Sequence, residues 1–315
     1  MRIVVTGGAG FIGSHLVDAF LAAGHEVVVI DSLWSHGGGR RENIPERASF
    51  VHMDIRDDAG IERIFQDFKP EIVSHHAAQH SVAIGARDPK YDAAVNVMGM
   101  LNVLEAAVKA GSRKVIFASS AATYGDIEAM PVDESSPQRP VSPYGITKMV
   151  TEHYLRFFKA DRGLDYTALR YGNVYGPRQD PNGEAGVIAI FLGKFLQRQP
   201  VRIDWDGEQT RDYVFVDDVV RANVAALDKG SGEIYVIGTG KKTSVNELYR
   251  AMVEVTGFEA PVEHAPRRPG DTREVYFNPA KAKRGLDWEA QVSLVDGMRA
   301  TYAYFREKER TAAAS

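Results

Sequence analysis

Apolar runs rich in β-branched residues alternate with stretches of helical periodicity through the first half of the chain. Ile3-Val4-Val5 runs into Thr6-Gly7-Gly8-Ala9-Gly10-Phe11-Ile12-Gly13, after which Phe11, Ile12, Leu16, Val17, Phe20 and Leu21 mark one face of a helix. The alternation continues with a strand at Val27-Val28-Val29-Ile30, a strand near Ser49 to His52 and a helix near Ala59 to Phe68. Next come a strand from Ile72 to His75, a helix from Tyr91 to Ala110 and a strand from Val115 to Ala118. This order predicts an α/β fold, a Rossmann-type doubly wound parallel sheet with ligands at the carboxyl ends of the strands. In the second half, Tyr166 to Arg170 reads as a strand, and helical patterns fall near Val187 to Leu196 and Asp217 to Leu227. Ser244-Val245-Asn246-Glu247 fits a capping box opening a helix to about Val255. A last helix is expected from about Leu294 to Phe305, with Glu307 to Ser315 as a frayed end.

The glycines carry the first chemistry. A side chain there would hold the backbone away from a pyrophosphate or strain the turn. A helix beginning near Gly10 aims unpaired N–H groups and a partial positive charge at an anion. The following strand delivers Asp31, 18 residues after Gly13, where a carboxylate accepts both hydroxyls of an adenosine ribose and repels a 2′-phosphate. The cofactor expected is therefore NAD, bound through Gly7, Gly10, Phe11, Ile12, Gly13 and Asp31. Arg40 and Arg41, after Gly37-Gly38-Gly39, read as a solvated loop.

Composition narrows the alternatives. With 38 basic and 42 acidic residues unsegregated along 315, no footprint for nucleic acid is visible. There is no cysteine, hence no thiol nucleophile or zinc knuckle. No run of about 18 apolar residues stands out as a membrane span, and the N-terminal apolar stretch is broken by glycines and His15. A soluble, cytoplasmic protein is expected.

Further candidates lie after successive strands. Asp54 and Ile55 suit an adenine; Ala77, Ala78 and Gln79 suit close approach of the backbone to a cofactor. His75 and His76 face opposite ways on a strand, which argues against a shared metal ion. His80 could lie close to the cofactor. Asn96 reads equally as a cofactor contact or as a buried helical amide. After the fifth strand come Ser119-Ser120-Ala121-Ala122-Thr123-Tyr124-Gly125, and later Tyr144 and Lys148, four apart on one helix face. An ammonium beside a phenol, together with a positive nicotinamide, favours the phenolate and makes tyrosine a usable base. A serine hydroxyl can bridge it to the substrate oxygen.

On these residues the chain resembles the extended short-chain dehydrogenase/reductase superfamily, and within it the NAD-dependent nucleotide-sugar 4-epimerases that act on UDP-glucose. The resemblance spans Thr6 to Gly13, Asp31, Ala77 to Gln79, Ser119 to Gly125 and Tyr144 to Lys148. It continues through Arg170 to Pro177, Arg211-Asp212-Tyr213-Val214 and Arg267-Arg268-Pro269-Gly270-Asp271. It implies that Tyr144 is the acid/base, Lys148 its electrostatic and ribose partner, and Ser120 the bridging hydroxyl, with Ser119 and Tyr171 beside the cofactor. It also implies that Asn173, Arg211, Arg268 and Asp271 hold the UDP moiety, and that the stretch from Glu184 to Phe191, with Val187, lies over the hexose. Residues 1–173 would form the NAD-binding domain, with about 211–240 returning to it, and 174–315 mainly a smaller substrate-binding lobe. A homodimer is implied through the helix after Tyr144 and the one near Tyr91 to Ala110.

Dehydratases of similar sequence carry an acidic pair after the catalytic serine or threonine, where this chain has Ala121, Ala122 and Thr123. Elimination therefore lacks its catalysts, and Thr123 becomes a second hydroxyl for the sugar. The segment over the hexose holds no cation for a carboxylate, which favours a neutral sugar, and Val275 leaves room for an N-acetyl group. UDP-glucose and UDP-galactose are the first substrates to consider, then UDP-glucuronate or UDP-GlcNAc. A non-catalytic NAD-binding regulator is the reading from another class; it would be expected to lose Tyr144 or Lys148.

Overall fold

The computed structural model describes residues 1–127, 129–181, 186–267 and 272–314. Strands β1 (Arg2–Thr6), β2 (Glu26–Asp31), β3 (Ser49–His52), β4 (Ile72–His75), β5 (Lys114–Ser120) and β6 (Asp165–Tyr171) are joined by Glu233–Ile237 in one sheet. The spatial order is Glu233–Ile237, β6, β5, β4, β1, β2, β3, and every pairing is parallel. Both faces are covered, so the central strands carry largely apolar runs such as Ile3-Val4-Val5 and Val27-Val28-Val29-Ile30. Ile3, Val5, Val29, Ile72 and Ile116 pack with α1 (Phe11–Ala22) and the helix Val216–Ala226. Val4, Val28, Val73, Val115 and Phe117 pack on the other face with α2 (Asp58–Phe68) and the helices Gly99–Ala110 and Pro143–Arg162. Strand order reverses between β1 and β4, which opens a crevice at their carboxyl ends.

A separate core joins the helices Val187–Leu196, Val245–Thr256 and Leu294–Ala314 with the parallel strands Val201–Asp204 and Val262–Ala265. The Ser244–Glu247 capping box is present, each side chain bonded to the other residue's N–H.

Two elements differ from expectation. The helical stretch up to Ala110 is interrupted by a π-helical turn at Ala94–Met98, between Pro89–Ala93 and Gly99–Ala110. An 18-residue window within Pro89–Ala110 is long and apolar enough to cross a membrane by composition, but Val95, Met100, Val103, Leu104 and Ala107 pack into the core. The last helix does not fray after Phe305 but runs to Ala314. No glycine or proline stops it there, its residues are mostly good helix formers, and Lys308 pairs with Glu42 at 3.7 Å.

Candidate active site

The crevice between β1 and β4 is a cleft of about 720 Å³. At one end, Gly7 takes φ +71°, and a Cβ there would stand 2.5 Å from the Ala77 amide nitrogen. Only glycine lets the two strand ends approach so closely. No side chain caps the N-terminus of α1 at Gly10, whereas Asp57 and Ser142 cap α2 and Pro143–Arg162. The first turn of α1 therefore offers open N–H donors to an anion. Gly7, Gly10, Phe11, Ile12 and Gly13 all line the cleft, and this cradle fits a dinucleotide pyrophosphate.

Asp31 ends β2, its oxygens accepting from the backbone N–H of Ala9 at 3.0 Å and of Leu33 at 2.8 Å. Burial raises its pKa against those bonds. Each oxygen retains a lone pair for a ribose hydroxyl. Asp54 and Ile55 line the same end, with Trp34 and Tyr91, 5.7 Å apart between ring centres, flanking it. The Asp54 carboxylate is bound by Arg56 at 2.7 Å, which lowers its pKa. Neither arginine of the glycine-rich loop lines the cleft: Arg40 pairs with Asp180 at its wall, at 3.1 Å, and Arg41 bonds the Ile44 carbonyl.

At the other end, β5 delivers Ser119 and Ser120, and Pro143–Arg162 begins beside them. Ser142 caps that helix, and Gly145 lies against the Ala122 carbonyl oxygen, leaving no room for a Cβ. Tyr144 thus sits in the first turn, where the helix dipole favours its anion. Lys148 Nζ is 5.6 Å from the Tyr144 ring centre and donates to the Ala118 carbonyl oxygen at 2.7 Å. Burial pushes the Tyr144 phenol up to about 12, opposed by the Ser120 hydroxyl. Burial brings the Lys148 ammonium down to about 8, opposed by the Asp92 and Glu152 carboxylates.

Behind these groups lies a network missed in the sequence. Arg170 donates through Nε and Nη2 to Glu152 at 2.8 and 2.6 Å and through Nη1 to the Tyr124 hydroxyl at 2.7 Å. Ser119 and Gln138 donate to the same carboxylate at 2.6 and 3.0 Å. Glu152 stands four residues beyond Lys148, the one sequence signal that could have singled it out. His76, weighed in the sequence against a metal role, is a buried, hydrogen-bonded histidine that also lines the cleft: its Nε2 is 3.0 Å from the Tyr171 hydroxyl, and burial brings its pKa down to about 3. His75 turns away to Thr6 Oγ1 at 2.8 Å. Among the described residues no cluster could hold a metal ion.

Ala77, Ala78, Gln79, His80, Ser119, Tyr144, Lys148 and Tyr171 line the cleft. Asn96 does not. Its amide is used up on the Gln79 N–H and carbonyl, at 2.8 and 2.9 Å, and on Asp92 and Thr147, so it positions Gln79 from behind the wall. Thr123 is fully buried, and its hydroxyl donates to the Ser120 carbonyl oxygen rather than turning to the cleft. Ser120 is partly exposed just past the cleft, its oxygen accepting from the Ala122 N–H at 3.1 Å. Asn173 is exposed, Val187 opens its helix half-buried, and Arg211 donates to the Thr210 and Thr272 carbonyls at 2.8 and 3.0 Å. Arg268 and Asp271 lie outside the described residues.

Comparison with known proteins follows the same lines. The profile of the NAD dependent epimerase/dehydratase family matches residues 3–238. A UDP-glucose 4-epimerase of Mycolicibacterium smegmatis is 44% identical over 98% of this chain and 100% of its own. A putative UDP-glucose 4-epimerase of Methanocaldococcus jannaschii is 43% identical over the same shares. The structure of UDP-glucose 4-epimerase from Thermotoga maritima with UDP-glucose superposes with a TM-score of 0.95 at 48% identity, covering 98% of this chain and 100% of that one. By sequence and by structure, the chain belongs to the NAD-dependent epimerase/dehydratase family.

Proposed function

We propose that the protein is an NAD-dependent isomerase that inverts C4 of a UDP-hexose, UDP-glucose to UDP-galactose and back, through a transient 4-keto sugar. The observation that carries this reading is the pairing of Tyr144 with Lys148 at the end of a dinucleotide cleft beside a turn, Ala121–Thr123, that holds no carboxylate. A proton can be moved at the sugar O4, while no acid/base pair stands ready to expel the C6 hydroxyl. The name and ligand of the Thermotoga maritima structure support the same substrate.

Gly7, Gly10, Phe11, Ile12 and Gly13 hold the NAD pyrophosphate, Asp31 the adenosine ribose, and Ala77 to Gln79, Ser119 and Tyr171 the nicotinamide half. What NAD supplies when bound is reversible acceptance of the C4 hydrogen with its electron pair. Tyr144 takes the O4 proton as the ketone forms and gives it back when the ring has presented its other face. Ser120 bridges O4 to the phenolate. Lys148 and the helix N-terminus keep that phenolate accessible despite burial. Asn173, Arg211, Arg268 and Asp271 are assigned to the UDP moiety. Ile146, Tyr154 and Phe157 share an exposed apolar face of Pro143–Arg162, near exposed Met98; we read this face as the seam of a homodimer. The enzyme is taken to be soluble and cytoplasmic.

The test is incubation with UDP-glucose, UDP-glucuronate and UDP-GlcNAc in turn, with and without NAD, followed by proton NMR. Formation of the UDP-glucose 4-epimer fastest of the three supports the reading. No epimer from any of them, while NAD still binds, overturns it in favour of a regulatory protein.

A further inference from the structure

We propose that Asp92 is a positioning residue of the active site: it is the buried counter-charge of the Lys148 ammonium and acts on Tyr144 through it. This rests on Tyr144 and Lys148 being the acid/base pair. Asp92, in the helix Pro89–Ala93, is fully buried. Its Oδ2 accepts from Gln79 Nε2 at 2.7 Å, and its Oδ1 from Asn96 Nδ2 at 3.2 Å and Thr147 Oγ1 at 3.1 Å. Backbone partners fix the orientation of both amides: Gln79 Oε1 accepts from the Ser81 N–H, and Asn96 Oδ1 from the Gln79 N–H. Each carboxylate oxygen therefore meets an N–H donor, an arrangement that favours the anion. The helix Val82–Arg87 closes the site, since a Cβ on Gly85 would stand 2.7 Å from Oδ2. One carboxylate thus ties the cleft wall after β4, the π turn and the helix that carries Tyr144.

The balance of buried charge identifies its partner. Lys148, Asp92, Glu152 and Arg170 are each at most 3% exposed. Glu152 and Arg170 cancel in their two-pronged bond. Lys148 spends its hydrogen bond on the neutral Ala118 carbonyl, and Asp92 takes its bonds from two amides and a hydroxyl, so neither charge is neutralised in contact. A lone buried charge is strongly destabilising, whereas two of opposite sign attract through a low-dielectric interior without touching. Thr147, bonded to Asp92, immediately precedes Lys148. The other titratable groups at this end are uncharged at neutral pH. Burial holds His75 and His76, on β4, well below the usual histidine range, and it pushes the phenols of Tyr124, Tyr144 and Tyr171 up. Asp92 accordingly opposes the effect of burial on Lys148, and Lys148 that on Asp92.

The test is Asp92→Asn in the full-length protein, read in two ways. Carbon-13 NMR of the lysine Cε groups, with Lys148→Met identifying the Lys148 signal, follows the ammonium itself, and turnover of UDP-glucose against pH follows the consequence. Removing the negative charge disfavours the ammonium. The Lys148 midpoint should therefore fall below about 8 by on the order of one pH unit, and the alkaline limb of kcat should move down with it. The reciprocal measurement carries the test if Asp92→Asn does not fold: in Lys148→Met the Asp92 carboxyl carbon should titrate at higher pH than in wild type. An unmoved or raised Lys148 midpoint, an Asp92 carboxyl already protonated at neutral pH in wild type, or kcat lowered evenly at every pH overturns the assignment. A wild-type protein that epimerises no UDP-sugar while the Lys148 midpoint still shifts overturns the proposed function and leaves the charge pair standing. Wild-type turnover with an unmoved midpoint in the variant overturns only the role of Asp92.

Discussion

Lys148 Nζ donates to the Ala118 carbonyl oxygen at 2.7 Å while standing 5.6 Å from the Tyr144 ring centre. The ammonium beside Tyr144 thus also ties the end of β5, with its two serines, to the helix that carries the tyrosine.

Keeping that ammonium buried costs stability. The folded pKa of Lys148 is brought down to about 8 from an ordinary 10.5. Below pH 8 both states are protonated and the folded state carries the full penalty. Between 8 and 10.5 the unfolded chain binds more protons, so the penalty fades as pH rises. Lys148→Met should therefore stabilise the cofactor-free protein at pH 7, by on the order of 3 kcal/mol at most, less what the freed Ala118 carbonyl costs, and raise its melting temperature accordingly. The gain should shrink toward pH 9.5 in a pH series of melts, and the variant should be inactive.

Tyr144→Phe removes one oxygen from a buried ring. Turnover should fall about a hundredfold to ten-thousandfold, with NAD affinity close to wild type by titration. Loss of NAD binding in parallel would mean that the hydroxyl serves cofactor binding and not proton transfer.

Glu152 and Arg170 are both almost completely buried. Glu152→Gln leaves the guanidinium uncompensated and should destabilise the protein by about 3–5 kcal/mol, read by urea unfolding. Glu152→Met combined with Arg170→Met should recover much of that loss, because the desolvation of both charges disappears together. Activity should not recover, since Ser119 would remain without its acceptor.

Asp31→Asn keeps the side-chain shape but offers a single acceptor oxygen. NAD affinity should drop and discrimination against NADP should narrow, both read by titration with the two cofactors. Because burial raises the Asp31 pKa, the wild-type preference for NAD should begin to fall, on acidification, at a higher pH than a solvated aspartate would give.

The parts of this site that were legible in the sequence are those whose geometry is local. Gly7 to Gly13 and Asp31 fall on one strand–helix–strand unit, and Tyr144 and Lys148 on one helical turn, so spacing alone aligns them. Thr123 and Asn96 lie at the right positions, but the direction of their side chains is decided by packing. The Thr123 hydroxyl turns back to Ser120, and Asn96 is captured by Gln79 and Asp92 within the π turn. Glu152, Arg170 and Ser119 come from three elements, and Asp92 meets Thr147 from 55 positions away. No periodicity announces such contacts, because only the folded sheet brings them together.

The most direct measurement of the central claim uses UDP-glucose carrying deuterium at C4, converted in ordinary water and analysed by NMR and mass spectrometry. UDP-galactose that keeps the deuterium at C4 is the predicted result, since the hydrogen leaves and returns to the same carbon while only the O4 proton passes through Tyr144. Loss of the label to solvent, or a 4-keto-6-deoxy product, would contradict the account.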